Sequence, residues 1–122
     1  MNRSRLSAWL VAAVTLTSTG AAHAQELKTM REVGNKLYSC WSPPSDISKS
    51  AVTLSFSFRR DGSLIGPPRP SAINVQGDDA AKKAFVDAAI EAVEKCTPLE
   101  LGPALSKGIG GKVFTMRFHS PD

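Results

Sequence analysis

One short segment restricts the fold of this chain more than any global property. From Ala51 to Arg60 the sequence alternates strictly, with Val52, Leu54, Phe56 and Phe58 on one side and Thr53, Ser55 and Ser57 on the other. A period of two with one apolar side predicts a β-strand whose one face is buried. Asp61-Gly62 follows as a hairpin turn signal, and Leu64-Ile65 begins the return strand. A two-residue turn sets Phe58 opposite Ile65, whereas a three-residue turn with a bulge sets it opposite Leu64. Both registers pair apolar with apolar, so the pattern leaves both open. The return strand carries Gly66-Pro67-Pro68 and Pro70 before Ile73 and Val75 resume extended structure. Proline cannot donate to a ladder, so this strand belongs at a sheet edge or bulges away from it.

Helical periodicity flanks the hairpin. Leu27, Met30, Gly34, Leu37, Tyr38 and Trp41 recur at spacings of three and four and predict a helix over 27–41, ended by Ser42-Pro43-Pro44. Asp78 or Asp79 would cap a second helix running to Cys96. Its broad apolar arc comprises Ala81, Ala84, Phe85, Ala88, Ala89, Ala92, Val93 and Cys96, widened by Val86 and Ile90. Residues 97–111 contain Pro98, Pro103 and several glycines and read as a loop, with a short turn near 104–107 and Leu99, Leu101 and Leu105 holding it to the core. Lys112 to His119 alternates again, with Phe114, Met116 and Phe118 inward and Val113, Thr115 and Arg117 outward. The order helix, strand, strand, helix, strand predicts an α+β fold, a three-stranded antiparallel sheet in order 2-1-3 packed by two helices. A hairpin followed by a helix that returns across the sheet leaves the first strand in the middle.

The amino terminus reads as an export signal. Two arginines precede an apolar run from Leu6 to Leu16, and Ala22-His23-Ala24 supplies small residues where a signal peptidase cuts. Residues 1–24 are therefore expected to be removed, leaving a single domain over 25–122 that does not span the membrane. The alternative, a retained anchor, needs about 20 strongly apolar residues, and Thr15, Thr17, Ser18 and Thr19 interrupt this run. Without Arg3 and Arg5, the formal charge of +4 falls to +2, from 13 basic and 11 acidic residues. The longest basic runs left are the pairs Arg59-Arg60 and Lys82-Lys83, so no nucleic-acid stripe is present. In an oxidising compartment two cysteines in a small domain form a disulfide, Cys40–Cys96.

The inventory of chemical groups is thin. Beyond the export signal one histidine remains, His119, close to the carboxy terminus, and paired cysteines are not nucleophiles. Asp78-Asp79 reads as a cap, and Gly108-Ile109-Gly110-Gly111 precedes a strand, not the helix amino terminus that phosphate loops use. No catalytic, cofactor-binding or metal-binding set is expected. Tyr38 and Trp41 read as packing residues at the helix end, and Arg59-Arg60 as a solvated pair.

Taken in order, these pieces resemble a known family. They are Cys40-Trp41-Ser42-Pro43 closing the first helix, the run from Val52 through Asp61-Gly62 to Leu64, and Gly66-Pro67-Pro68. The alanine-rich helix, Cys96-Thr97-Pro98-Leu99 and the closing strand with Phe118 complete them. Over essentially all of residues 25–122 the chain resembles the carboxy-terminal domain of the TonB/TolA energy transducers, nearer the TolA-like branch. The resemblance implies a non-catalytic periplasmic binding module of the cell envelope, serving transport. Its partners would be periplasmic or outer-membrane proteins of the Tol/Ton type, docked as an added strand on an exposed sheet edge. The transducers' membrane anchor and long shaft are not expected here, so force transmission by this chain alone is not expected either.

The edge that fits such docking is the third strand, Lys112 to His119, continuous and proline-free, with Lys112, Val113, Thr115 and Arg117 as the residues a partner would meet. Monomer and strand-swapped dimer both remain open. The alternative function is a secreted structural or regulatory envelope protein using this fold without Tol/Ton partners. A small periplasmic hydrolase ranks third.

Overall fold

A computed structural model of the chain describes residues 26–121. The expected export signal lies outside the described residues. In chain order the elements are α1 (Met30–Ser39), β1 (Ala51–Ser57), β2 (Arg69–Asn74), α2 (Asp79–Lys95), α3 (Pro103–Ile109) and β3 (Val113–His119). The strands form one antiparallel sheet in the order β2-β1-β3, the α+β arrangement expected from the sequence.

β1 occupies the centre because its period-two pattern gives it a complete apolar face. Val52, Leu54, Phe56 and Phe58 are all buried, while Thr53, Ser55 and Ser57 are half-buried on the opposite face. Burial of each large side chain contributes about 2 kcal/mol. The helices cover that face with Val33 and Leu37 from α1 and Phe85, Ala89, Ala92 and Val93 from α2. Phe118 of β3 completes the core.

The hairpin takes the three-residue turn. Phe58 pairs with Leu64, and Arg59 N donates to Ser63 O at 2.7 Å. Gly62, at φ +88°, allows this turn to lie against the chain. A Cβ there would fall 1.9 Å from the Leu99 carbonyl oxygen, so no other residue fits. Leu99 N in turn donates to Gly62 O at 2.9 Å, tying the hairpin tip to the loop after α2.

Several boundaries differ from the sequence reading, each for a physical reason. β2 begins at Arg69 instead of Leu64, because the Gly66-Pro67-Pro68 run cannot supply ladder donors. Pro70 is accommodated opposite Leu54 beside a register shift between Thr53 and Leu54. α1 starts at Met30 because Thr29 caps it, with Glu32 completing a capping box. Leu27 instead makes a parallel bridge to Leu101, with Leu27 N donating to Glu100 O at 2.8 Å. The buried pair of α1 is Val33 and Leu37, while Met30 is exposed. In α2 the buried arc narrows, leaving Ala84 exposed. Residues 103–109 form a helix opened by Pro103, and its Ile109 is buried in the core. β3 starts at Val113, since Lys112 N turns back to Ile109 O at 3.2 Å.

Cys40 and Cys96 are joined, with Cα atoms 6.1 Å apart, within the range a disulfide requires. Each cysteine is the C-cap of its helix, so the bond fastens the carboxy-terminal ends of α1 and α2 together. No helix among the described residues is long and apolar enough to cross a membrane.

Two predictions concern stability. The bond closes a loop whose ends lie 56 positions apart in sequence. Replacing both cysteines by alanine should lower the unfolding free energy by about 4 kcal/mol in the chain-entropy limit. Urea unfolding measures this, and an unchanged midpoint would refute it. At the hairpin tip, Ser63 Oγ and Ser63 N both donate to Asp61 Oδ1, at 2.6 and 2.9 Å. They hold the Asp61 carboxyl below its ordinary value. A lowered folded-state value means that the ionised group favours the fold above the ordinary carboxylate range near about 4, and that this gain is lost as pH falls through the folded value. The stability gap between wild type and Asp61→Asn should therefore narrow on acidification, read as thermal midpoints along a pH series.

Candidate functional site

The free edge of β3 can be derived from the register. β1 and β3 pair so that Ala51 faces His119 and Ser57 faces Val113, and Ser50 faces Ser120 one step further along the same antiparallel register. Ser120 N donates to Ser50 O at 2.9 Å, which makes Ser50 and Ser120 a hydrogen-bonded pair. Hydrogen-bonded and non-hydrogen-bonded pairs alternate in an antiparallel ladder. Phe114, Met116 and Phe118 therefore direct their main-chain groups toward β1. Val113, Thr115, Arg117 and His119 direct theirs away from the sheet.

At the carboxy-terminal end this outward row is covered. Trp41 Nε1 donates to the His119 carbonyl oxygen at 2.8 Å. Trp41 is held in place edge-on to Phe85 and Phe118, with ring centroids 5.3 and 5.4 Å away. Tyr38 stacks on Phe118 at 5.9 Å. Tyr38 and Trp41 thus pack at the helix end as expected, and Trp41 has a further role that spacing did not reveal. It closes one end of the open edge, leaving Val113, Thr115 and Arg117.

These three residues also head one face of the sheet. Val113 is the most exposed large apolar residue among the described residues, at 70%. Lys112 lies just before the strand, exposed, and contributes no ladder position. Cys40 and Cys96 form the disulfide, and neither lines the groove beside this edge.

On the helix side, the edge borders an apolar groove of about 180 Å³. Met30, Gly34 and Leu37 of α1 form one wall, and Phe114, Thr115 and Met116 of β3 form the other, over Phe56 and Phe58 of β1. The wall is low at Gly34, where a Cβ would meet no atom within 4 Å. Sequence reasoning placed Gly34 on the apolar side of α1 but found no purpose for it. The groove depends on α1 lying next to β3, which no local pattern encodes. A strand edge beside a helix-walled apolar groove supplies both components of β-strand addition: main-chain groups for affinity and a recess for alternate side chains.

The chemical groups reach no such assembly. Asp78 caps α2 by accepting from Ala81 N at 2.9 Å. Gly110 ends α3 and Gly111 begins the turn into β3, so the glycine run serves a connection. His119 Nδ1 lies 3.2 Å from the Ser120 carbonyl oxygen. Among the described residues no three or more His, Cys, Asp and Glu side chains gather as metal ligands would.

Comparison with known proteins places the chain by family only. No curated protein and no solved structure matches it. Residues 23–122 match the family described as Uncharacterised conserved protein UCP034077, a span that takes in every element of the fold, and the chain belongs to that family.

Proposed function

We propose that this protein is a non-catalytic binding module of the cell envelope, exported to the periplasm, that takes an extended segment of a partner protein onto the free edge of β3. The observation that carries the reading is the outward row of main-chain groups at Val113, Thr115 and Arg117, bounded by Trp41 and flanked by the apolar groove under Gly34. An edge of this length offers a partner strand several hydrogen bonds, and the groove selects apolar side chains at alternate positions. The resemblance to the carboxy-terminal domain of TonB/TolA transducers supports the same reading and favours partners of the Tol/Ton type. The signal-like amino terminus and the Cys40–Cys96 disulfide support an oxidising compartment.

The test uses the geometry of the edge. Thr115 N–H points out of the sheet, so Thr115→Pro deletes a docking donor without removing a bond to β1. A photo-crosslinker at position 113 in cells should capture an envelope protein, whereas one at Asp87 on the exposed side of α2 should not. Thr115→Pro should reduce that capture at least tenfold, the worth of about one or two lost hydrogen bonds, with the thermal midpoint kept. Gly34→Leu, which fills the groove from α1, should reduce it separately. If every captured partner stays bound to the proline variant, the edge is not the binding site.

A further inference from the structure

We infer that the open face of the sheet carries a second, independent site, which binds a small oxyanion-bearing ligand, phosphate or carboxylate, in a pocket at the Lys49–Arg117 corner. The pocket encloses about 410 Å³, within the usual size of small-molecule sites. Lys49, Asn74, Arg117 and His119 line it, over a floor formed by Ser50 and Ser120. None of its lining residues lines the β3 groove, and Tyr38 of α1 reaches its rim, with its ring centroid 5.7 Å from that of His119.

The charge of the corner is one-sided. None of the lining residues is acidic, and β1, β2 and β3 contain no Asp or Glu at all. The two ion pairs among the described residues, Lys83–Asp87 and Lys95–Glu91, both lie within α2. The carboxylates of the described residues are thus on the helices and connections, and no ion pair among the described residues engages Lys49 or Arg117. Collected like charges in a concave site raise the local concentration of anions. Arg117 supplies a planar fork suited to two oxygens of a phosphate or carboxylate, and Lys49 a compact point charge. Asn74 adds amide donors.

The floor is buried and its polar groups are hydrogen-bonded to one another and to Gln76 N, so it would not compete for the ligand. Ser50 N donates to Ser120 Oγ, Ser120 Oγ to Ser50 O, and Gln76 N to Ser50 Oγ, at 2.9, 3.2 and 2.9 Å. Both serines are buried, at 5% and 3% exposure. Lys49 itself is the sole residue other than glycine at positive φ among the described residues, at +52°. That left-handed conformation is unfavourable for lysine, and it seats the residue at the mouth of the pocket, where a strain-free residue such as glycine would do if only the turn mattered. His119 completes the rim, with its Nδ1 3.2 Å from the Ser120 carbonyl oxygen.

The probes are inorganic phosphate, citrate, glucose 6-phosphate and glucose, titrated into the oxidised protein and followed by amide resonances. Phosphate, citrate and glucose 6-phosphate should each give saturable shifts confined to Lys49, Ser50, Asn74, Arg117, His119 and Ser120, and glucose none. Vesicles containing phosphatidylglycerol separate a headgroup from a free ligand. Binding to vesicles that phosphate displaces assigns the site to lipid, and its absence assigns it to a soluble anion. Arg117→Gln and Lys49→Gln should each weaken phosphate binding about tenfold or more, as loss of a charged hydrogen bond does, while Thr115→Pro leaves it unchanged. Shifts that fail to saturate, that equal those of sodium chloride at matched ionic strength, or that survive the paired Lys49→Gln and Arg117→Gln replacement would overturn the site. Lys49→Gln lies outside the β3 edge and Thr115→Pro outside the pocket, so the two variants test the anion site and strand docking separately.

Discussion

The rest of the molecule depends on β1 being bonded on both sides while only one of its faces is dry. In an antiparallel strand, alternate residues send their main-chain groups to opposite neighbours, and alternate side chains go to opposite faces. Along β1 the two alternations coincide. Val52, Leu54 and Phe56 bond toward β3 and are buried under the helices, while Thr53, Ser55 and Ser57 bond toward β2 and line the open face. The geometry of the β3 edge follows from continuing that parity one strand outward. It assigns the free edge to Val113, Thr115 and Arg117 and puts their side chains on the open face together with the β1 hydroxyls.

The two edges of the sheet are treated differently. β2 contains Pro70, a register shift and only exposed residues, features that blunt an edge against unwanted pairing. β3 is regular and carries neither proline nor bulge. Its protection is partial, with Trp41 closing one end and Arg117 charged on the face. The docking surface we propose is the edge that this contrast leaves continuous beside a groove. The disulfide contributes at a distance, because it fixes the end of α1 from which Trp41 extends and so fixes the groove wall.

Much of this was legible from local pattern. The alternation along β1 and along 112–119, the Asp61-Gly62 turn and an aspartate cap at Asp78 or Asp79 each rest on the preferences of a few adjacent residues, and the structure has both strands, the turn and Asp78 as the cap. The misses share a different character. Val33 is buried although the stripe read from the sequence ran through Met30 and Gly34 and left it out, because packing against the sheet and α2 selects the face. Ile109 lies in a segment with too many glycines and prolines to read as a helix, yet tertiary burial secures α3. The hairpin register, open in the sequence, is the one that pairs Phe58 with Leu64, and its turn rests on Leu99, a contact between residues far apart in sequence.

The sequence by itself determined the class of fold, the order of the strands and the pairing of the two cysteines, since period-two patterns, prolines and cysteine count act through covalent and local constraints. Only the tertiary structure decided which main-chain groups face outward, where Trp41 stops the edge, and that Lys49, Asn74, Arg117 and His119 meet at one corner. Those features require segments tens of residues apart to be placed at hydrogen-bonding distance. Such placement is set by packing of the whole core over β1 and leaves no signature in any local run of residues.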